Sequence, residues 1–583
     1  MTNDDSLDCP HGARCGGCAF LGVPYAEQLE RKQAIVQQGL ARYAGHGSLR
    51  VTAVTGAEPT RAYRTRAKLV FSAGVLGLYE RDSHTVVDIP ECRVLAPALL
   101  RTAAAARSVL AGADLDGLDL RLVDDGVIAT LIAARGTAPS ALHGLAEAFR
   151  AACPELRSVA ASFREAGAAT VLGTGHVLLS GAEVERHHLQ ASGPYHLAAH
   201  GAFAQAHLGQ ANAAHANIER ALRALGAQRV LELYAGSGAL SLRLASAGFA
   251  MTAVEAFAPA LTHAARAARE QSLTLATISG QAERVLRDLR AREARFDAIV
   301  VNPPRRGLSP EVRRDAAALN TKGIVYMSCD PATLARDLEH LHLLGYAALD
   351  LNPFDMIPHS AAVECLTVAR RGPLPLPKIL YEDAQLIAVG KSGYEPLSRL
   401  LERVRLLPGA AKAVALSEQH LDDDCSGVCL FAREATALPV LEKAFREGAQ
   451  SFVALARGVS HKRGRIRRPV RDGRRVVTAS TRYLRESVRG GHSLLTIWPQ
   501  GCTPAQLRQL LVGIGHPLLG DSGSGDAASN SFFEHRHALD RSFLHCSSLT
   551  LALPAGPHTI EAALPGELGA VLASLAEPAA TPG

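Results

Sequence analysis

No apolar run in this sequence approaches the length of a membrane span. The opening residues, Met1-Thr-Asn-Asp-Asp-Ser6, also lack the basic segment and apolar core of a secretory signal. These absences predict a cytoplasmic chain with no membrane partner. Charge of neither sign dominates. Its 62 Lys and Arg against 56 Asp and Glu leave +6, which permits a nucleic-acid partner without requiring one. At 583 residues, 48% hydrophobic and 20% charged, the chain exceeds one ordinary core and predicts two to four globular domains.

Eleven cysteines in a large chain without a secretory signal argue against a disulfide framework. Their distribution is uneven. Cys9, Cys15 and Cys18 form C-x5-C-x2-C, and Cys92 follows much later. Thiolates two residues apart can reach one metal centre, and four would complete a site for zinc or a four-iron cluster. Spacing alone does not choose between those metals. A cluster without metal is the competing account.

After the cysteines, the run from Val23 to Lys32 opens a polar helix extending to about Tyr43. Residues 50 to 95 alternate as strands do, which puts Arg64, Arg66 and Lys68 on one strand face, either solvated or turned to RNA phosphates. Ala-rich helices and short apolar strands fill 97 to 185. From Phe203-Ala-Gln205 the pattern sharpens. A helix leads to strand Arg229-Val-Leu-Glu-Leu233, the turn Tyr234-Ala-Gly-Ser-Gly238, a second helix, and a strand ending at Glu255. That ordered set describes a nucleotide-like cofactor site. Gly236 and Gly238 allow close backbone approach, and Glu255 can accept hydrogen bonds from ribose hydroxyls. Ser241 stands where a dinucleotide motif has its third glycine, which disfavours a pyrophosphate and fits S-adenosylmethionine.

Two further strand-to-loop runs follow. Val301-Asn-Pro-Pro-Arg-Arg-Gly307 loses two backbone donors to proline, which stiffens the loop that carries Asn302. Ile324-Val-Tyr-Met-Ser-Cys-Asp-Pro331 puts Cys329 at a strand end beside it. A free cysteine is often a buried structural group, but here it is a candidate nucleophile. Glu364, alone a surface acid, directly precedes a final strand within reach of the same pocket.

These residues resemble the RNA uracil-C5 methyltransferase family over about 9 to 371, and most of all its short bacterial branch acting on 23S ribosomal RNA. The Asn302-Pro-Pro-Arg-Arg-Gly307 form carries that likeness. The resemblance implies a [4Fe-4S] cluster on Cys9, Cys15, Cys18 and Cys92, with zinc the lesser alternative. It implies cofactor contacts from Gln205, Tyr234, Gly236, Gly238, Glu255 and Asn302, with Cys329 as nucleophile and Glu364 as general base. Transfer RNA is the alternative substrate, and a non-catalytic RNA-binding assembly factor the alternative of another class. Ala362 departs from the family's histidine.

Beyond a proline-rich linker at 372–378, residues 379–565 resemble the single-aspartate pseudouridine synthases. In Gln419-His-Leu-Asp-Asp-Asp-Cys-Ser-Gly427, Asp422 falls on the catalytic aspartate, but His420 replaces an arginine and Phe452 a tyrosine. The expectation is therefore either uridine isomerisation or RNA positioning. His461 to Arg475 carries eight Lys or Arg against one Asp, enough for a phosphate-binding edge. The predicted architecture is multidomain α/β. A cysteine-cluster β region (1–95) and its continuation (96–185) precede a Rossmann-like S-adenosylmethionine-dependent methyltransferase domain (186–371). An α+β pseudouridine-synthase-like domain (379–565) and a tail (566–583) follow the linker.

Overall fold

The computed structural model describes residues 6–47, 49–72, 74–165, 172–173, 175–417, 419, 421–473, 475–553 and 556–576. His420 and Arg474 lie outside the described residues. The chain divides into two compact units. The first comprises Met1–Gln38, Ser48–Leu334 and Ala347–Arg371; the second comprises Gly39–Gly47, Ala335–Tyr346 and Gly372–Gly583.

In the first unit, apolar runs bounded by turns become an eight-stranded sheet. Its order is Arg50–Val51, Tyr346–Phe354, Glu364–Arg371, Gly323–Ser328, Ala298–Val301, Arg229–Leu233, Ala250–Glu255, Leu275–Ser279. The last five in that order are mutually parallel, and Glu364–Arg371 runs antiparallel to Gly323–Ser328. All four residues of Ala298–Val301 are buried, as expected of a parallel strand covered on both faces. Val230, Met251, Val300 and Val325 share a core with Ile218 and Leu222 of helix Leu208–Ala224 and Leu240 and Leu244 of helix Ala239–Ser246.

A seven-stranded sheet from Arg66–Ser72 through Val177–Ser180 draws strands from both sides of residue 95. Arg66 is tied to Asp119 by bonds of 3.0 and 2.8 Å and donates to Ala202 O, so it does not stand free on its strand face.

The structure does not bear out the expected metal-bearing cysteine domain. Among the described residues, no group of three or more His, Cys, Asp or Glu is arranged to hold a metal ion, so neither a [4Fe-4S] cluster nor zinc is supported. Cys9, Cys15, Cys18 and Cys92 do line one cavity. Its other walls are largely apolar. Cys15 and Cys92 pack against the seven-stranded sheet's core, and Cys18 and Cys92 against Leu7, Tyr63 and Val94. Burial raises the Cys15 thiol and pushes Cys18 up to about 12, with the neighbouring cysteines adding to both.

The second unit contains a ten-stranded sheet of mixed direction, from Ile379–Glu382 to Gly556–Glu561, with helices including Leu438–Arg446 and Pro504–Val512 packed on it. Gly566–Ala576 is a helix whose Leu568 and Val571 are buried with Phe533 and Phe543. Residues 577–583 lie outside the described residues. No helix among the described residues is long and apolar enough to cross a membrane.

Candidate active site

The parallel strands end at one edge of the eight-stranded sheet, so their C-terminal loops bring Tyr234, Gly236, Gly238, Glu255, Asn302 and Cys329 to that edge. Gln205 is on a separate loop ahead of helix Leu208–Ala224, where its carbonyl accepts from Thr65 Oγ1 at 3.3 Å.

The turn after Arg229–Leu233 is tightly specified. Tyr234, Gly236 and Gly238 have φ of +61, +54 and +75°. At Gly238 a Cβ would meet Ala264 Cβ at 2.7 Å, so glycine is needed for helix packing. At Gly236 a Cβ would meet nothing within 4 Å, leaving open space beside the turn. Glu255 Oε2 accepts from Gly236 N–H at 3.0 Å and Oε1 from Phe257 N–H at 2.9 Å, which fixes its carboxylate over the turn. Ser241, the residue in place of a third glycine, donates to the buried Glu232. Burial pushes Glu232 up to about 7.

Register joins the remaining pair. Gly323 faces Arg370 and Ser328 faces Cys365, so Cys329 comes directly after the last paired residue of one strand and Glu364 directly before its partner on the other. Glu364 is 7% exposed, and its Oε2 is buried without a hydrogen-bond partner among the described residues. Burial pushes its carboxyl up to about 8, opposed by Arg305. Burial also pushes the Cys329 thiol up to about 11, with the Glu364 charge adding to the rise and Arg305 countering it. Arg305 comes from the Asn302–Gly307 loop, whose Arg305 O accepts from Thr333 Oγ1 at 3.0 Å. Asp330 Oδ1 accepts from Ala332 and Thr333 N–H at 3.0 and 2.9 Å, and so ties Cys329's loop to the following helix.

The segment leading into Glu364 is clamped by helix Tyr25–Leu40, through residues that sequence reading left without a role. Tyr25 OH donates to Asp355 Oδ2 at 2.7 Å. Gln28 Oε1 accepts from His359 N–H at 2.9 Å. Lys32 Nζ donates to Asp355 Oδ1 at 2.5 Å, Ile357 O at 3.0 Å and Ala362 O at 2.8 Å. Positions 25, 28 and 32 share one helical face. Such a polar stripe normally signals solvent, yet Gln28 and Lys32 are fully buried. At Ala362, where the family's histidine is missing, the main chain itself is held. Lys32→Met leaves the buried Asp355 with its bond from Tyr25 but without its counter-charge, and is expected to cost about 3–5 kcal/mol in urea unfolding of the first unit. A cost below about 1 kcal/mol would show that the pair is not structurally important.

The tRNA (Uracil-5-)-methyltransferase family profile matches residues 195–371. An RNA methyltransferase of Gloeobacter violaceus is 30% identical over 385 residues, covering 62% of this chain and 82% of that protein. The chain belongs to the RNA (uracil-5-)-methyltransferase family. It is an S-adenosylmethionine-dependent RNA uracil-C5 methyltransferase. An RNA methyltransferase of Geobacter sulfurreducens is 29% identical, covering 61% of the chain and 75% of that protein. Among solved structures, the Pyrococcus abyssi tRNA (uracil-54, C5)-methyltransferase with S-adenosyl-L-homocysteine is 21% identical, with TM-score 0.48 and coverage of 61% and 86%.

The likeness to the cluster-bearing 23S branch is corrected, because the matching family profile is the tRNA one and no metal-holding group occurs among the described residues. The pseudouridine-synthase reading of 379–565 has only weak support. Human RNA pseudouridylate synthase domain containing 4 is 20% identical, with TM-score 0.30 and coverage of 34% and 92%, too weak to assign that family. Asp422 in this unit is paired with Arg508, whose Nη2 lies 3.0 Å from Oδ1, and it accepts from Cys425 N–H at 3.0 Å. Phe452 is a buried core residue.

Proposed function

We propose that this methyltransferase modifies a uridine of transfer RNA at C5, with Cys329 as nucleophile and Glu364 as general base. The observation that carries the reading is that the Cys329 thiol, directly after its strand, feels the charge of the buried Glu364 carboxyl at the start of the neighbouring strand, one oxygen of which has no hydrogen-bond partner among the described residues. The tRNA family profile over 195–371 supports the substrate class.

Uracil C5 is weakly nucleophilic until a thiolate adds at C6. In the proposed sequence, a bond forms between Cys329 Sγ and C6 as the C5–C6 double bond opens, and negative charge passes to C5 and O4. C5 then takes the methyl group. Bound S-adenosylmethionine supplies that group as an electrophilic sulfonium methyl. Glu364 removes the C5 proton, the double bond re-forms and the thiolate leaves. Arg305 favours the charged forms of both groups. The target base must leave its stack to reach them.

The open space beside Gly236 and the anchored Glu255 carboxylate fit an adenosyl ribose, with Gln205, Tyr234, Gly238 and Asn302 as further contacts. Hydrogen bonds to a charged group contribute about 1.5–3 kcal/mol. Glu255→Ala is therefore expected to weaken S-adenosylmethionine binding by on the order of 10- to 100-fold in calorimetry. An unchanged affinity would remove Glu255 from the cofactor site. For the substrate, mass mapping of transfer and ribosomal RNA from cells with and without the gene should show 5-methyluridine lost from transfer RNA. Loss from ribosomal RNA alone would overturn that assignment.

A further inference from the structure

The basic run does not enter the methylation chemistry, yet the fold gives it a definite shape. Arg463–Asp472 is the edge strand of the ten-stranded sheet, paired with Arg475–Arg489, which in turn pairs with His492–Gln500. Ile466, Val470, Ala479 and Tyr483 point inward to Leu507, Leu510 and Leu511. The alternate residues therefore face outward. That outer face carries Arg463, Arg465, Arg467 and Arg471 on the edge strand and Arg482 on the next, all exposed.

Arg465 lies directly opposite Arg482, and Arg482 directly opposite Trp498. Like charges in direct cross-strand register repel one another. None of the five arginines forms an ion pair with an acid among the described residues; Arg465 Nη2 donates only to Gln500 Oε1, at 3.3 Å. Glu486, toward one end of the face, is bonded to Thr496 Oγ1 at 2.8 Å. Protection of an edge strand from aggregation would explain cations on the edge itself. It does not explain Arg482 on the second strand, or an aromatic ring beside it on the third.

We propose that this face binds a single-stranded segment of the RNA substrate, with phosphates along the arginine rows and a base stacked on Trp498. The proposal rests on the RNA-methylating reading for the identity of its partner. Repelling guanidinium forks call for an anion, and an aromatic ring within a cationic row is the arrangement that holds unpaired nucleotides. A duplex would offer phosphates but no free base for the indole.

Trp498 is the chain's single tryptophan, so its emission reports on this face alone. Titrating the full chain with single-stranded oligouridine should quench that emission, with affinity falling as salt rises. In Arg465→Ala/Arg482→Ala, affinity should fall on the order of 10-fold. The slope of log affinity against log salt should shrink by about 1.4, at roughly 0.7 per lost phosphate contact on a single strand. Arg465→Lys/Arg482→Lys should keep most of the slope. An unchanged slope and affinity in the alanine variant would overturn the proposal. So would equal quenching by duplex DNA or by polyglutamate. Quenching that persists in a protein that methylates no transfer RNA would support this surface while overturning the substrate assignment.

Discussion

Cys329→Ala is expected to lower 5-methyluridine formation by on the order of 10⁴-fold or more, the scale of losing a covalent nucleophile. The same variant should fail to form the denaturation-resistant complex expected between wild type and RNA containing 5-fluorouridine, whose fluorine cannot leave as a proton does. The loss is chemical rather than structural. Cys329 follows the end of its strand and is only partly buried, so removing Sγ leaves the sheet's fully buried core in place. S-adenosylmethionine affinity and thermal midpoint should therefore be nearly unchanged. Cys329→Ser should be almost as inactive, because a hydroxyl is a far weaker nucleophile in a site where burial already holds the thiol proton tightly. Retention of more than a few percent of wild-type turnover in Cys329→Ala would refute addition of this thiol to C6.

Glu364→Gln should separate the two halves of the reaction. Cys329 can still add and the methyl group can still transfer, but without a base the C5 proton stays, and protein–RNA adduct should accumulate in a denaturing gel. Turnover should fall by about 10²–10⁴-fold, the usual worth of a positioned base. Wild-type activity should rise with pH toward about 8, where the buried carboxyl ionises. Because Cys329 and Glu364 influence each other, that limb belongs to the pair.

Stability should move the opposite way. Burial raises the folded carboxyl above its unfolded value, so the native state holds the proton between about pH 4.5 and 8 while the unfolded chain has released it. Native stability therefore declines across that window, by up to about 5 kcal/mol. Glutamine lacks the ionisation. Relative to wild type, Glu364→Gln should gain thermal stability as pH rises from 5 to 9. A variant equally destabilised at all pH values, with no trapped adduct, would mean that Glu364 is a packing residue.

The sequence reading succeeds where chemistry is local. The turn from Tyr234 to Gly238, Glu255 at a strand end, and Cys329 after an apolar strand are each legible from a few consecutive residues, because strand, turn and helix signals change there. The sheet then brings them to one edge. It fails where a side chain's partner is distant. Nothing in Tyr25, Gln28 and Lys32 distinguishes a solvated helical face from one buried against Asp355 and His359, more than 320 positions away. The cysteines fail for a related reason. Spacing shows that Cys9, Cys15, Cys18 and Cys92 can converge, and they do line one cavity. It cannot show that the surroundings would be largely apolar, with Cys15, Cys18 and Cys92 partly buried among them. Arg305 was visible within its loop, but its influence on both Cys329 and Glu364 depends on strand order.

The meeting of Cys329 and Glu364 at adjoining strand ends makes chain length a gauge for the chemistry. Because successive residues of a strand alternate faces, one extra residue between the Lys32 anchor at Ala362 and the start of the last strand would turn the carboxylate to the wrong side of the sheet. Two extra residues would restore its side but slide it by roughly 6–7 Å. Exchange of a side chain, as at Ala362, leaves this measure intact. Between Asp355 and Glu364, selection on residues 356–363 should therefore tolerate substitutions far more readily than any single insertion or deletion.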